Sequence, residues 1–254
     1  MRESPRLDWY EGGGIYGPDY LAIFAGEAAS GNAEADRAVR LLGLAEGQSI
    51  LDVACGYGRH ALHLARQGIR VVGLDLSEYL LGLATEKAVT DKSAARFVRG
   101  DMRVLPFGQV FDAAVCLGGS FGQFAHEDED LALLTETARV LKPGGKFLLD
   151  VANRDGILSR FIGKDWNQLE DGTVVLHERR WDSLQGRVEG RDVVIGRDGK
   201  HREYETSMRL YGAPEITSML SRAGFDVLAL YGSLAGSAFG WDSPRVNVVA
   251  RKLD

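Results

Sequence analysis

QSILDVACGYGRH, residues 48–60, is the stretch on which the reading of this chain turns. Ile50, Leu51 and Val53 make a short apolar run of the kind that forms a strand buried on both faces. Gly56 and Gly58 let the backbone reverse without a Cβ penalty, and Arg59 opens a helical stretch. With Ala61 in third place the spacing is G-x-G-x-x-A, which serves a nucleotide-like ligand held against a helix N-terminus. A turn that only packs helix on sheet has the same spacing, so the pattern needs support from elsewhere in the chain.

Asp52 supplies the first support. A carboxylate four residues before Gly56 would repel the pyrophosphate of a dinucleotide, but it suits a ligand that brings an ammonium group there. S-adenosylmethionine (SAM), an adenosine with an amino-acid tail and no phosphate, is such a ligand. The stretch LDVACGYGRH resembles the first motif of the class I SAM-dependent methyltransferases. Asp75 follows Asp52 by 75 − 52 = 23 residues, at the end of the second expected strand, IRVVGLD, where a carboxylate can accept both ribose hydroxyls. Ser77 is a suitable N-cap for the next helix, which gives that stretch a local role as well.

The resemblance extends further. GDMRVLPF, after a third strand ARFVRGD, matches the place where the family sets an acidic residue on the adenine amine and an apolar side chain on the ring, which implies Asp101 and Met102. It adds Ala54, Gly56, Gly58, Leu76 and Leu117 to the expected cofactor contacts, and LKPGGKFLLD is a further likeness. In related sugar enzymes an aromatic hydroxyl from the N-terminal arm sits near the methyl donor. The matching position here is Phe24, which lacks the hydroxyl, or else Tyr20 or Tyr16.

Strands alternating with helices from residue 48 to about 155 imply an α/β, doubly wound, mostly parallel sheet whose ligand lies past the strand C-termini. FDAAVCL is the fourth strand and KFLLDVANRD the fifth. Between them runs a helix with Leu131, Leu134, Ala138 and Leu141 on one stripe, stopped at KPGG. A last helix with Pro214 at its first position precedes two closing strands, FDVLALYG and PRVNVVARK. The family likeness implies a seven-stranded Rossmann-like sheet in the order 3-2-1-4-5-7-6, with the last strand antiparallel.

Residues 1–44 are expected to form an N-terminal arm and helices, with Leu21, Phe24, Ala25 and Ala28 on one helical face. Trp9, Tyr10, Tyr16, Tyr20 and Phe24 give it aromatic faces that either cover the core or form a lid over the sulfonium by cation–π attraction. Residues 45–160 and 212–254 make the SAM-binding core. Residues 161–211 change rhythm to antiparallel alternation, with Asp198-Gly199 as a hairpin turn, and read as a β-rich insert near the acceptor site or a surface through which a homodimer forms.

A net charge of −6 gives no electrostatic footprint for nucleic acid, and the methyltransferase motif that often marks base-modifying enzymes is absent from LGGSFGQF after the fourth strand. No apolar run is long enough to span a bilayer, and the first residues lack a signal-peptide core, which together imply a cytoplasmic protein. Two cysteines, Cys55 and Cys116, are too few for a zinc site or a disulfide framework, so no metal is expected. They read as packing residues or, less simply, as a redox pair.

The expected activity is methyl transfer from SAM to a small-molecule acceptor, leaving S-adenosylhomocysteine, with nitrogen slightly favoured over oxygen because no single residue stands out as a base. His126, His177, Glu178 and Tyr20 are the candidates for proton removal, and Ser120 and Phe121 for lining an acceptor pocket. Two other readings compete: an NAD(P)-dependent oxidoreductase, against which Asp52 speaks, and a SAM-binding protein without turnover.

Overall fold

A computed structural model of the chain describes residues 14–24 and 31–253. The expectations for Trp9, Tyr10, Ala25 and Ala28 fall outside those residues. Seven strands form the main sheet: β1 (Ser49–Val53), β2 (Arg70–Asp75), β3 (Arg96–Arg99), β4 (Phe111–Cys116), β5 (Leu141–Ala152), β10 (Phe225–Tyr231) and β11 (Arg245–Lys252). Their spatial order is β10-β11-β5-β4-β1-β2-β3, with β11 antiparallel to both neighbours and the other pairs parallel. This is the sheet expected from the sequence.

The central strands β1, β4, β5 and β11 are buried from both sides, which explains their apolar runs. On one face α2 (Gly31–Leu42) and α3 (Arg59–Arg66) press Ala35, Ala38, Leu42, Ala61 and Leu64 onto Ile50, Val71 and Val115. On the other, α5 (Glu127–Val140) and α7 (Ala213–Arg222) bring Leu133, Leu134, Ile216 and Leu220 against Leu51, Phe147 and Val248. Between β2 and β3, α4 (Glu78–Thr90) starts at Ser77, whose hydroxyl accepts the Leu80 N–H at 3.1 Å. The order of connections reverses direction at β1, so the crevice between β1 and β4 is the place where helices leave opposite faces and a ligand has room.

Three details depart from the sequence reading. Extended pairing begins at Leu141, so KPGG lies within β5 and not before it. Phe111 pairs with Leu141 and Ala113 with Lys146, and the intervening residues bulge out. Pro214 stands second in α7, after Ala213, with Gly212 as N-cap. The antiparallel region holds four strands, one more than the three alternating stretches TVVLHERRW, RVEGRDVVIGR and KHREYETSMRLY suggest: β6 (Lys164–Gln168), β7 (Val174–Asp182), β8 (Arg187–Ile195) and β9 (His201–Arg209), in that spatial order. The additional strand, KDWNQ, has one neighbour only and a mostly exposed, polar run, so it carries no alternating pattern to read.

A short helix α1 (Tyr20–Ile23) belongs to the arm. Ile15 and Ile23 bury against Val175 and Val194 of the four-stranded sheet. Asp19 ties the two covalently distant segments together, accepting from the Arg202 guanidinium and from Tyr204 Oη at 2.6 Å. Arg202 holds the Asp19 carboxyl below its ordinary pKa. Cys55 and Cys116 are both buried free thiols, and burial pushes the pKa of each upward. Among the described residues no helix is long and apolar enough to cross a membrane.

Candidate active site

The backbone after β1 takes left-handed conformations at alternate residues: Ala54 (φ +56), Gly56 (φ +56) and Gly58 (φ +77). Ala54 bears a Cβ in a region that costs an ordinary residue about 1–2 kcal/mol. The two glycines are needed for different reasons. A Cβ on Gly56 would meet only Leu80, at 4.0 Å, so there the backbone angle is the constraint. A Cβ on Gly58 would lie 2.8 Å from the Phe97 ring and 3.1 Å from Ala84, so there the space is also taken.

Asp75 at the tip of β2 fixes this loop. Its carboxylate accepts the Gly56 N–H at 2.7 Å and the Ser77 N–H at 2.9 Å. Burial raises its pKa, and these backbone donors oppose the rise. Ser77 in turn donates from its hydroxyl to the Tyr16 carbonyl at 2.8 Å, which draws the arm over the strand tips. Tyr16 Oη donates to Gln123 Oε1, and Gln123 Nε2 donates to the Gly119 carbonyl at 3.3 Å, so the arm is also fastened to the loop after β4.

These segments line a partly open cleft at the C-terminal ends of β1 to β4. Of the residues singled out in the sequence as cofactor contacts, Ala54, Asp75, Leu76, Asp101 and Met102 line it. Tyr16, Ser120 and Gln123 line it from the arm and the loop after β4, with Leu74 and Gly100 completing the wall. Gln123 escaped the sequence reading because nothing in GGSFGQF distinguishes its amide from a surface glutamine.

Asp101 does not stand alone. Arg103 grips both of its oxygens, Oδ2 at 2.6 and 3.0 Å and Oδ1 at 3.1 Å, and also reaches Glu129. Burial would raise the Asp101 pKa, but the hydrogen bonds and charge of Arg103 leave it lowered. Arg103 lies 4.8 Å above the Phe124 ring as well, so the arginine joins the tip of β3 to the start of α5.

The other expected contacts lie behind or beside the cavity. Asp52 is 1% exposed and outside the lining, and its Oδ2 has no hydrogen-bond partner. Burial pushes its pKa up to about 6, although His60 and Arg59 pull it down. Gly56 and Gly58 shape the wall without forming its surface. Leu117 is 4% exposed and packs into the core on the α2 and α3 face. Tyr20 stacks on Tyr16 with ring centres 5.6 Å apart, and Phe24 on Tyr20 at 4.8 Å, so both back the cavity wall without lining it.

The candidate bases His126, His177 and Glu178 lie away from the cavity. His126 is exposed at the N-cap of α5, where its N–H donates to Glu129 at 3.1 Å. His177 Nδ1 lies 2.6 Å from Asp192 Oδ1 and Nε2 lies 3.0 Å from Asn167 Oδ1, so both ring nitrogens are used within the four-stranded sheet. Glu178 points to the opposite side of β7 and pairs with Lys164 at 2.7 Å. None of the three lines the cavity. Phe121, expected at an acceptor pocket, is 1% exposed and packs in the core. Among the described residues no group of three or more His, Cys, Asp or Glu could hold a metal ion.

A mostly parallel doubly wound sheet with two aspartates in the cleft at its reversal point belongs to the class of open α/β sheets that hold ligands there. Comparison with known proteins narrows that class. Residues 50–145 match the family described as "Methyltransferase domain". The chain is 31% identical to the putative methyltransferase YqeM of Bacillus subtilis (strain 168) over 193 residues, 72% of this chain and 76% of that protein. Among solved structures it resembles the CcbJ methyltransferase from Streptomyces caelestis (TM-score 0.82, 23% identity, 94% and 98% of the two chains). It also resembles SAM-bound CalS10, an amino pentose methyltransferase from Micromonospora echinaspora (TM-score 0.70, 25% identity, 92% and 96%). The chain belongs to the SAM-dependent methyltransferases, and SAM is its methyl donor.

Proposed function

We propose that this methyltransferase acts on a small-molecule acceptor and that the methylated atom is an amine nitrogen in preference to an oxygen. The observation that carries the nitrogen preference is the placement of the candidate bases: His126, His177 and Glu178 all lie away from the cavity, and the polar side chains that line it beside the arm are Tyr16, Ser120 and Gln123. An amine that arrives deprotonated needs alignment and water exclusion more than a base, at reacting distances of about 3–3.5 Å. The likeness to an amino pentose methyltransferase supports the same choice.

The residues at the strand tips support the following placement of the cofactor. Asp75 accepts the ribose hydroxyls, and Asp101 accepts the adenine amine while Met102 packs on the ring. Ala54 and Leu76 complete the adenosine wall. The tail lies along the Gly56–Gly58 loop, where the unpartnered Oδ2 of Asp52 is the buried charge that an ammonium would neutralise. Such a reading leaves Leu117 in a supporting role behind the methionine tail. When bound, SAM supplies an activated methyl on a sulfonium; the chain holds it, excludes water and aims it.

Residues 1–44 then act as a lid, 45–160 and 212–254 as the cofactor-binding core, and 161–211 as an insert beside the acceptor. Support comes from the contacts of Tyr16 with Ser77 and Gln123 and of Asp19 with Arg202 and Tyr204. The insert also offers a surface for a homodimer: Trp166 and Leu176 are directly paired across β6 and β7, and both are exposed.

The test is S-adenosylhomocysteine release from SAM in the presence of matched panels of amines and phenols, amino sugars included. Turnover with amines and little with phenols is expected. Turnover confined to phenols would reverse the choice of atom, and SAM binding without turnover on any acceptor would leave a binding protein in place of an enzyme.

A further inference from the structure

The loop that closes the cavity after β4 carries Ser120 and Gln123, and it is held from outside the sheet. Gly122, one residue before Gln123, has both of its peptide groups committed. Its N–H donates to Asp130 Oδ1 on α5 at 3.1 Å, and its carbonyl accepts the Arg209 N–H from the end of β9 at 2.7 Å. The fit leaves no room for a side chain: a Cβ at Gly122 (φ +93) would lie 2.4 Å from the Arg209 carbonyl oxygen.

Asp130 is completely buried and is itself oriented by Tyr211 Oη, which donates to its Oδ2 at 2.7 Å. Tyr211 is also completely buried, its ring 5.3 Å from Phe121 and 5.0 Å beneath the Arg209 guanidinium. Arg187 of β8 adds a further tie, donating from Nη1 to the Phe124 carbonyl at 2.9 Å. Burial raises the pKa of Asp130 to about 6, so at neutral pH it is a carboxylate able to accept both hydrogen bonds.

We propose that the Tyr211–Asp130 pair is a positioning device for the cavity: by fixing Gly122 it sets Gln123, and through the Gln123 amide it sets Tyr16. Neither Tyr211 nor Asp130 lines the cavity, so neither touches a ligand there. The pair transmits the position of the four-stranded insert to the ligand wall, since Arg209 ends β9 and Tyr211 lies two residues beyond it. A buried tyrosine–carboxylate pair is costly to assemble unless fully hydrogen-bonded, and here both carboxylate oxygens are used, one on the tyrosine and one on the loop. The inference rests on the proposed adenosyl cavity.

The experiment is a double-mutant cycle on SAM affinity, measured by calorimetry with Tyr211→Phe, Gln123→Ala and the pair. Tyr211→Phe keeps the ring against Phe121, and Asp130→Asn enters the same cycle should the first variant fold poorly; thermal melting checks each. Each single substitution is expected to weaken SAM by about three- to tenfold, the worth of one hydrogen bond. The double substitution should weaken it no more than the stronger single one, because both break one chain of contacts. Losses that multiply would overturn the coupling, as would unchanged affinity in folded Tyr211→Phe. Absence of SAM binding by the unsubstituted protein would remove the cavity reading and this inference with it.

Discussion

At the scale of single residues, Asp52 has the most to say about pH. A buried carboxyl with its pKa raised from 3.8 to about 6 holds a proton in the folded protein that it would lose in the unfolded one. Stability of the ligand-free protein should therefore fall as pH rises from about 4 to about 6, by at most roughly 3 kcal/mol from this group. Asp130 contributes with the same sign. SAM affinity should run the other way: if the ammonium needs ionised Asp52, binding weakens about tenfold between pH 7 and pH 5. Calorimetry across that range, with Asp52→Asn expected to give a flat profile, checks both the role and the direction. A second prediction concerns the loop. Gly58→Val should cost more stability than Gly56→Val, since only the former drives a side chain into Phe97 and Ala84, and thermal melts of the two variants read the difference.

At the scale of elements, the question is what holds the arm down. Residues 14–24 touch the core through Ser77 and Gln123 and the four-stranded sheet through Asp19 and the Ile15, Ile23 pair. Asp19→Ala leaves Arg202 and Tyr204 without their shared acceptor and should loosen the arm while sparing the main sheet. Limited proteolysis should then cut near residues 14–24 at least several-fold faster, and SAM should slow the cut. An unchanged digestion rate would mean the apolar contacts alone hold the arm. Elements were also where the sequence was most informative. The parallel sheet followed from apolar runs alternating with helices, and the order of strands followed from the family likeness. Strand β6 stayed hidden because an edge strand needs neither an apolar face nor an alternating one. The tie between Asp101 and Arg103 stayed hidden for another reason. It depends on the fold of the turn after β3 and on Glu129, which approaches from a helix 26 residues further on. The sequence could not place the histidines, because a residue type able to carry protons says nothing about its neighbours, and His177 spends both nitrogens inside the insert.

At the scale of the whole molecule, one doubly wound sheet gathers loop tips around a cavity, with an arm and a second sheet closing over them. The family likeness pointed to Ala54, Leu76, Asp101 and Met102 and the spacing to Asp75, and all five line the one cleft because each lies at or just past a strand end. Tyr16 and Gln123 complete the wall through contacts 107 residues apart in the chain, which no local pattern encodes. The central claim is that this cavity takes SAM by its ribose through Asp75. It is tested most directly by calorimetric titration of SAM into the unsubstituted protein and into Asp75→Ala, with circular dichroism confirming that both are folded. The account predicts binding by the first and a loss of about 1.5–3 kcal/mol in the second, the range for hydrogen bonds to a charged group. Equal affinity in the two proteins would contradict it.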